Sequence, residues 1–322
     1  MSDSSAGDSG YGDPSRPRLF LTGSTGLLGG NLILTAVDRC DVFATSRTTR
    51  LIAPRVRWAP CDLLDRETLF RLVEQEHPDA IVHLAAGTDV DWCEEHPEAA
   101  HALNVQGTAN AIAAARRASC RIVYVSTDSV FDGERAPYAE ADCPRPLNVY
   151  ARSKLEAESL VLAADSRHAV VRTNLFGWNC RGKAGLAEWI FDLLSRGQPV
   201  PGFVDCFFSP LNAATLALIL LRLAQDGNGG LLHAGAAAGV SKFAFARMIA
   251  RQWGYDERCV IPVHLGQHPF RARRPLDTTL DSRVLAGRLR MPMPSIPDEI
   301  ALLHRQSSDG FRQRLASLCA HE

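Results

Sequence analysis

The stretch LFLTGSTGLLGGNLI, from Leu19 to Ile33, decides the fold. An apolar run typical of a buried strand leads directly into three glycines at a spacing of three, Gly23, Gly26 and Gly29, and then into a helical segment. Glycines in this place allow a tight turn, a close approach of phosphate to the main chain, and close packing of the helix on the sheet. The stretch predicts a pyrophosphate-binding loop, with a glycine-rich structural turn as the alternative.

Outward from this stretch, short apolar runs alternate with helical segments up to about residue 176. The runs scarcely alternate with polar residues, as expected of parallel strands buried on both faces. We predict an α/β fold in which residues 18–176 form a doubly wound parallel (Rossmann) sheet and residues 205–232 return to it. Residues 177–204 and 233–322 are predicted to form a smaller, mainly helical substrate-binding region, and residues 1–17 a flexible tail.

The composition excludes several classes of protein. The 322 residues include 35 basic and 36 acidic side chains, so no basic field is available to hold nucleic acid. The nine cysteines are scattered without a C-x-x-C pair, which is typical of reduced thiols in the cytoplasm. No apolar run reaches the roughly 18 residues of a membrane span, and the polar first 17 residues do not resemble a signal peptide. We expect a cytoplasmic protein with no nucleic-acid or membrane partner.

The histidine pairs do not predict a metal site. His96 and His101 lie five residues apart, and His264 and His268 lie four apart, but no cysteine or carboxylate set completes either pair. No metal is expected.

The end of the second predicted strand, in FATSRTT, bears on the choice of cofactor. A carboxylate in this place accepts hydrogen bonds from the ribose hydroxyls of NAD, but this chain has Ser46 and Arg47. A hydroxyl and a guanidinium suit the 2′-phosphate of NADP. We predict NADP and leave NAD open; the alternative for Arg47 is a solvated surface residue.

Two motifs together favour a reductase. In YARSKLEAESLVLAA, Tyr150 and Lys154 lie four residues apart on a helical segment and therefore share one face. An ammonium near a phenol favours the phenolate, so Lys154 is expected to lower the pKa of Tyr150, which would donate a proton to a carbonyl under reduction. Upstream, STDSVFDG places Thr127 at the carboxyl end of a strand, where its hydroxyl would hydrogen-bond the substrate oxygen.

The order of the motifs makes the chain resemble an extended short-chain dehydrogenase/reductase, and within that group the dTDP-4-dehydrorhamnose reductase branch. The matching motifs are TGSTGLLGG, CDLLD, HLAAGTDVDWCEEHPEAAHALNVQGT, STDSVFDG, YARSK, RTNLFG and ARRPLDTTLD, which run from about residue 18 to 283. The resemblance implies an NAD(P)H-dependent reductase of a nucleotide-activated 4-keto-6-deoxy sugar. It implies that Thr127, Tyr150 and Lys154 are catalytic: Tyr150 would protonate the 4-keto oxygen, and Lys154 would hold the nicotinamide ribose.

Two sets of binding residues complete the expected site. Of the cofactor residues, Asp62 and Leu63 match the family's adenine contacts, and Asn104 matches the asparagine that supports the active-site helix. The full cofactor set is Gly23, Thr25, Gly26, Leu27, Leu28, Gly29, Ser46, Arg47, Asp62, Leu63, Ala85, Ala86, Gly87, Asn104, Tyr150 and Lys154. The set expected to bind the nucleotide-diphosphate sugar is Thr88, Asp128, Ser129, Asn174 and Arg274, the last as a bidentate ligand of the diphosphate.

Two positions depart from the branch and keep other functions open. Ser129 stands where rhamnose reductases have a tyrosine, and Leu175 where they usually have a tryptophan. Because both family positions lie against the sugar, the sugar's identity is left open. The alternative functions are a non-catalytic, NADP-binding regulatory subunit similar to the beta subunit of methionine adenosyltransferase, and a nucleotide-sugar epimerase of the same superfamily. Sister enzymes often dimerise through two helices of each subunit, so a homodimer is a further expectation.

Overall fold

The computed structural model describes residues 16–181 and 184–319. All but the last two residues of the predicted tail lie outside the described residues. The strands are β1 (Arg18–Thr22), β2 (Asp41–Ser46), β3 (Val56–Pro60), β4 (Ala80–His83), β5 (Arg121–Val125), β6 (Ala169–Thr173), β7 (Leu175–Phe176), β8 (Val200–Phe203), β9 (Phe207–Phe208), β10 (Leu211–Asn212), β11 (Gly230–Ala234), β12 (Val240–Ser241) and β13 (Val260–Val263). The helices are α1 (Leu27–Ala36), α2 (Arg66–Glu76), α3 (Val90–Glu95), α4 (Pro97–His101), α5 (Gly107–Arg117), α6 (Val149–Ala164), α7 (Leu186–Ser195), α8 (Ala213–Gln225), α9 (Lys242–Trp253), α10 (Arg283–Leu289), α11 (Ile296–Ser308) and α12 (Phe311–Ala316).

A seven-stranded sheet forms the centre of the molecule, in the order β11-β6-β5-β4-β1-β2-β3. Every neighbouring pair in it is parallel. The strand order reverses between β1 and β4, and in such sheets this switch point opens a crevice at the carboxyl edge. The prediction of a doubly wound α/β fold is confirmed.

Strand β1 shows why helices cover both faces of the sheet. Leu19 and Leu21 join the hydrophobic cluster that includes α1 and α8, whereas Phe20 between them joins the cluster that includes α2, α5 and α6. All three side chains are at most 2% exposed. Burying an apolar side chain of this size stabilises the fold by about 1.5–3 kcal/mol. A strand with apolar residues on both faces folds only between two layers.

The second region contributes helices and short sheets near the carboxyl edge. Its helices are α7, α9, α10, α11 and α12, and its strand pairs are β8 with β13 and β9 with β12. The region is thus less purely helical than predicted. Strand β11 lies outside these pairs and extends the main sheet beside β6. The exact domain boundaries stay a prediction.

Candidate active site

A cleft of about 910 Å³ lies at the carboxyl edge of the main sheet. Among the residues predicted to bind cofactor or substrate, those that line it are Gly23, Thr25, Gly26, Leu27, Leu28, Gly29, Ser46, Arg47, Asp62, Leu63, Ala85, Ala86, Gly87, Thr88, Thr127, Ser129, Tyr150, Lys154 and Asn174. The residues that the structure places outside the lining are Asn104, Asp128 and Arg274. The chain therefore brings one glycine loop and one reactive group of side chains into the same cavity.

The three glycines of the loop serve different purposes. Gly23 has φ +67, and a Cβ there would lie 2.6 Å from the main-chain nitrogen of Ala85. A Cβ at Gly29 would lie 2.5 Å from the carbonyl oxygen of Gly23, so only glycine lets α1 pack this closely on the loop. At Gly26 a Cβ would meet just the Gly23 carbonyl oxygen, at 3.3 Å, among the described atoms. Gly23 and Gly29 shape the loop, and Gly26 leaves its cleft side bare.

The amino end of α1 favours an anion. Its cap residue, Gly26, supplies no side-chain acceptor, and the first turn contains no acidic residue. The unpaired N–H groups and the helix dipole at such an end attract negative charge. The structure thus holds a cradle that fits a pyrophosphate.

The end of β2 differs in part from the prediction. The Ser46 hydroxyl donates to the carbonyl oxygen of Thr49 at 2.5 Å and accepts a hydrogen bond from the Trp58 indole nitrogen at 3.0 Å. Because a serine hydroxyl has a single proton, Ser46 shapes the turn and has none left for a phosphate. Arg47 is exposed and lines the cleft, and no carboxylate of the described residues forms an ion pair with it. The guanidinium of Arg47 is the group at this end that fits a 2′-phosphate.

Hydrogen bonds from buried residues hold the segment from Leu84 to Gly87, which lines the middle of the cleft. The Thr22 hydroxyl accepts from the main-chain nitrogen of Leu84 at 3.2 Å and contacts Nδ1 of His83 at 2.7 Å. Burial lowers the pKa of His83 to about 3, so its ring is neutral. Asn104 accepts from the main-chain nitrogen of Gly87 at 2.8 Å through Oδ1 and donates to the Gly87 carbonyl oxygen at 3.2 Å through Nδ2. These bonds fix the segment from Leu84 to Gly87.

The place of Asn104 changes its predicted role. It lies on a π-helical turn, Ala102–Gln106, and is 1% exposed. Its Nδ2 also donates to the Ser153 hydroxyl of α6 at 2.9 Å. Asn104 therefore joins the wall to the active-site helix from behind the cleft, a support that its family match implied, and does not line the cofactor cavity.

Helix α6 positions the two reactive residues. Its cap residue, Asn148, accepts from the main-chain nitrogen of Ala151 at 2.9 Å, which fixes where the helix begins. Tyr150 in the first turn and Lys154 one turn later both line the cleft. Thr127, just beyond β5, lines the same part of the cavity, so the predicted trio is brought together.

The expected effect of Lys154 on Tyr150 is wrong in this structure. Burial raises the pKa of the Tyr150 phenol, with the neighbouring Thr127 hydroxyl opposing the rise. Lys154 instead donates its Nζ to the carbonyl oxygen of Val125 at 2.8 Å and lies 4.1 Å from the ring centroid of Tyr124. Burial lowers the pKa of Lys154 to about 7, with Glu158 opposing. Tyr150 is therefore a neutral phenol at neutral pH, which is the form that donates a proton.

Two predicted substrate residues lie behind the cleft surface. Asp128 is 1% exposed and is enclosed by hydrogen-bond donors, so it offers no contact to a sugar. Arg274 forms an ion pair with Asp91 of α3 at 3.1 Å and lies 5.0 Å from the ring centroid of Phe270. Asp91 also accepts from the main-chain nitrogen of Ala272 at 2.9 Å. Arg274 thus fastens its own loop to α3, and its predicted contact with the diphosphate has no support in the cleft lining.

Some lining residues were not among the predicted catalytic and binding residues, although Leu175 stands at a position expected to lie against the sugar. They are Thr22, Thr45, Thr48, Thr49, Cys61, Leu84, Asp89, Trp92, Leu103, Val125, Ser126, Thr173, Leu175, Arg181 and Leu186. Thr48 and Thr49 follow directly on Arg47, so their position at the end of the strand could have predicted them. Arg181 and Leu186 come from the second region, where no periodic pattern pointed to the cleft. Among the described residues, no group of metal-ligating side chains lies together.

Comparison with known proteins supports the resemblance to dTDP-4-dehydrorhamnose reductases. The family model of the RmlD substrate binding domain matches residues 17–306. A dTDP-4-dehydrorhamnose reductase of Mycobacterium tuberculosis is 37% identical over 280 residues, which cover 84% of this chain and 87% of the relative. The crystal structure of dTDP-4-dehydrorhamnose reductase from Bacillus anthracis in complex with NADP superposes with a TM-score of 0.80 at 25% identity and covers 90% of this chain and 99% of that one.

The relatives also include the beta subunit of a methionine adenosyltransferase. The methionine adenosyltransferase 2 subunit beta of Danio rerio is 30% identical over 271 residues, which cover 82% of each chain. Within residues 16–181 and 184–319, no helix is long and apolar enough to cross a membrane. With the family model covering most of the sequence, the chain belongs to the RmlD substrate binding domain family, the dTDP-4-dehydrorhamnose reductase branch of the extended short-chain dehydrogenases/reductases.

Proposed function

We propose that this protein is an NADPH-dependent reductase that converts the keto group of a nucleotide-activated 4-keto-6-deoxy sugar to a hydroxyl. One observation carries the proposal: Thr127, Tyr150 and Lys154 line the same cleft as the bare glycine loop at the amino end of α1. A dinucleotide bound in the cleft would have its pyrophosphate at the anion cradle and its nicotinamide toward the proton donors. The family and the NADP complex of the Bacillus anthracis relative support the same reaction.

The described residues fit NADP. The amino end of α1 would hold the pyrophosphate, Arg47 the 2′-phosphate, and Asp62 with Leu63 the adenine. The side chains at the end of β2 that line the cleft are hydroxyls and a guanidinium, Thr45, Ser46, Arg47, Thr48 and Thr49, without the carboxylate that suits an NAD ribose. NADP is therefore favoured over NAD. When bound, the cofactor supplies the hydride.

The reactive side chains supply the proton and hold the substrate. Tyr150 keeps its proton at neutral pH, because burial raises its pKa, and donates it to the keto oxygen. The Thr127 hydroxyl donates its one proton to Asp128 at 3.2 Å in this structure, and would turn that proton to the keto oxygen to stabilise the charge that develops there. The ammonium form of Lys154 would hold the nicotinamide ribose, as the family resemblance implies.

The sugar end of the cleft sets the preference among substrates. Ser129, Asn174 and Leu175 line it, with a serine and a leucine at the two positions where rhamnose reductases have larger aromatic side chains. Thr88, directly after Gly87, also lines the cleft. We infer a nucleotide-diphosphate sugar as substrate and expect a sugar other than 4-keto-rhamnose to be accepted well.

The regulatory and epimerase alternatives are not favoured, because the family model matches residues 17–306 and the relative that is 37% identical over 280 residues is a dTDP-4-dehydrorhamnose reductase. We place the reaction in the cytoplasm, in keeping with nine free thiols. The homodimer expected of sister enzymes is part of the same proposal.

The test is turnover by the wild-type protein. Purified protein is mixed with NADPH and a panel of dTDP-, UDP- and GDP-linked 4-keto-6-deoxy sugars, and loss of NADPH absorbance is followed. We expect NADPH oxidation with at least one sugar and slower oxidation of NADH. NADPH binding without oxidation across the whole panel would contradict the proposal and favour the regulatory alternative.

A further inference from the structure

The buried carboxylate of Asp128 accepts four hydrogen bonds at the substrate end of the cleft. Its Oδ2 accepts from the Thr278 hydroxyl at 2.6 Å and from Nδ2 of Asn174 at 2.9 Å. Its Oδ1 accepts from the hydroxyls of Thr127 and Ser129, each at 3.2 Å. Three of the four donors, Thr127, Ser129 and Asn174, line the cleft. Asp128 itself is 1% exposed.

The fourth donor, Thr278, comes from the second region. Its main-chain nitrogen donates to the carbonyl oxygen of Phe207 at 3.0 Å, and the next residue but one, Leu280, donates to the Ser209 hydroxyl at 3.0 Å. The segment around Thr278 is therefore held to β9 and the turn after it. The bond from Thr278 to Asp128 links this segment to the end of β5, 150 residues earlier in the chain.

We infer that Asp128 and Thr278 act as a positioning pair, which fixes the Thr127 side chain and the Asn174 amide at the sugar end of the cleft. The inference deepens the proposed function and rests on it for its kinetic consequences. Neither residue touches the sugar: Asp128 is buried, and Thr278 is 6% exposed and lies outside the cleft lining. Both act through the groups that do.

The chemistry of the carboxylate explains why an aspartate is needed. An ionised carboxylate accepts hydrogen bonds and donates none, so it suits four donors at once. With Nδ2 of Asn174 bound to Asp128, the amide of Asn174 has one orientation and keeps its Oδ1 and one N–H for a ligand. An asparagine at position 128 would present an N–H to at least one of these donors. Since Thr127 and Ser129 can rotate their hydroxyls and Asn174 would have to turn its amide over, we expect the new N–H group to face Thr127 and Ser129 and to remove the acceptor of both.

The pair also affects the charge at the site. Burial raises the pKa of the Asp128 carboxyl, and the hydrogen bonds from Thr278 and Asn174 act against that rise. Lys242 at the start of α9 favours the ionised form as well. Without the Thr278 hydroxyl, Asp128 is held in place less firmly and its ionised form is less stable.

The first test uses Thr278→Val, with Thr278→Ser as the conservative variant and Asp132→Asn as a control in the segment that carries Asp128. Asp132 accepts from the Tyr138 hydroxyl at 2.7 Å and forms an ion pair with Arg145, away from Asp128. We expect Thr278→Val to lower kcat/KM for the sugar nucleotide by about 10- to 100-fold, the range for a lost hydrogen bond to a charged group. NADPH affinity should stay unchanged, and Thr278→Ser should restore the rate. An unchanged kcat/KM, or an equal loss of NADPH affinity, would overturn the inference.

The second test does not depend on the identity of the sugar. Crystal structures of Thr278→Val and Asp128→Asn are compared with the wild type. We expect the Thr127 side chain to shift in both, and the Asn174 amide to keep its orientation in Asp128→Asn. If Thr127 keeps its position in both variants, the inference is wrong even where the wild type is an active reductase. If Thr127 moves but no sugar is reduced by the wild type, the positioning pair stands and the proposed function falls.

Discussion

At the scale of single residues, the site combines a neutral phenol with a lysine that titrates near neutrality. The pKa of Lys154 is lowered to about 7, so its ammonium is present below that pH and is lost above it. Because the ammonium is the form that would donate hydrogen bonds to the nicotinamide ribose, we expect kcat/KM to fall as pH rises through about 7. The pH profiles of the wild type and Lys154→Arg test this, since the guanidinium does not titrate in this range. A wild-type profile flat across about pH 6 to 8 would contradict the assignment.

Arg47 gives a second prediction at this scale. The Arg47→Gln variant should bind NADPH about tenfold more weakly, because a charge-assisted contact with a phosphate is lost. Its affinity for NADH should be unchanged. Fluorescence titration with both dinucleotides measures the effect, and Arg50→Gln, three residues on and outside the cleft lining, is the matched control. Equal weakening of NADPH and NADH would show that Arg47 does not contact the 2′-phosphate.

At the scale of elements, a buried ion pair joins the active-site helix to the sheet. Glu158 of α6 accepts from Arg172 of β6 at 2.7 Å through Oε2, and from the Ser126 hydroxyl at the end of β5 at 2.5 Å through Oε1. Both charged side chains are at most 3% exposed. Glu158→Gln should therefore destabilise the fold by about 3–5 kcal/mol, since it leaves Arg172 buried without its charge partner. Urea denaturation measures this, and a double variant, Glu158→Leu with Arg172→Met, should recover much of the loss. A loss below about 1 kcal/mol would show that the pair adds little.

The elements also show what the sequence could and could not predict. The loop from Gly23 to Gly29, and Tyr150 with Lys154 on one helix face, follow from local spacing, and the structure brings them to one cleft. The hydrogen-bond partners of single side chains do not follow from local spacing, because these partners come from distant parts of the chain. Thr278 reaches Asp128 across 150 residues. Likewise the pKa of Tyr150 depends on burial by the folded chain, which a four-residue spacing does not reveal.

At the scale of the whole molecule, Glu299 fastens α11 of the second region to β10 and α8. This residue of α11 is 3% exposed, accepts from the main-chain nitrogen of Asn212 at 2.5 Å and accepts from the Thr215 hydroxyl at 2.8 Å. Burial raises its pKa from 4.5 to about 6. The folded protein thus holds this proton more tightly than the unfolded chain, so stability is lost as pH rises from 4.5 through about 6.

The size of this effect is about 2 kcal/mol, from 1.36 kcal/mol per pKa unit. Between pH 4.5 and about 6, the difference in unfolding free energy between the wild type and Glu299→Gln should change by about 2 kcal/mol. Urea denaturation at a series of pH values measures it. A difference that is constant with pH would show that Glu299 has an ordinary pKa.

The central claim is that Tyr150 donates a proton to a sugar keto group while NADPH is oxidised in the same cleft. The most direct measurement is single-turnover oxidation of bound NADPH by the preferred nucleotide sugar, in the wild type and in Tyr150→Phe. The account predicts that the variant binds NADPH with unchanged affinity and oxidises it at least about 100-fold more slowly. Oxidation by Tyr150→Phe at the wild-type rate would contradict it.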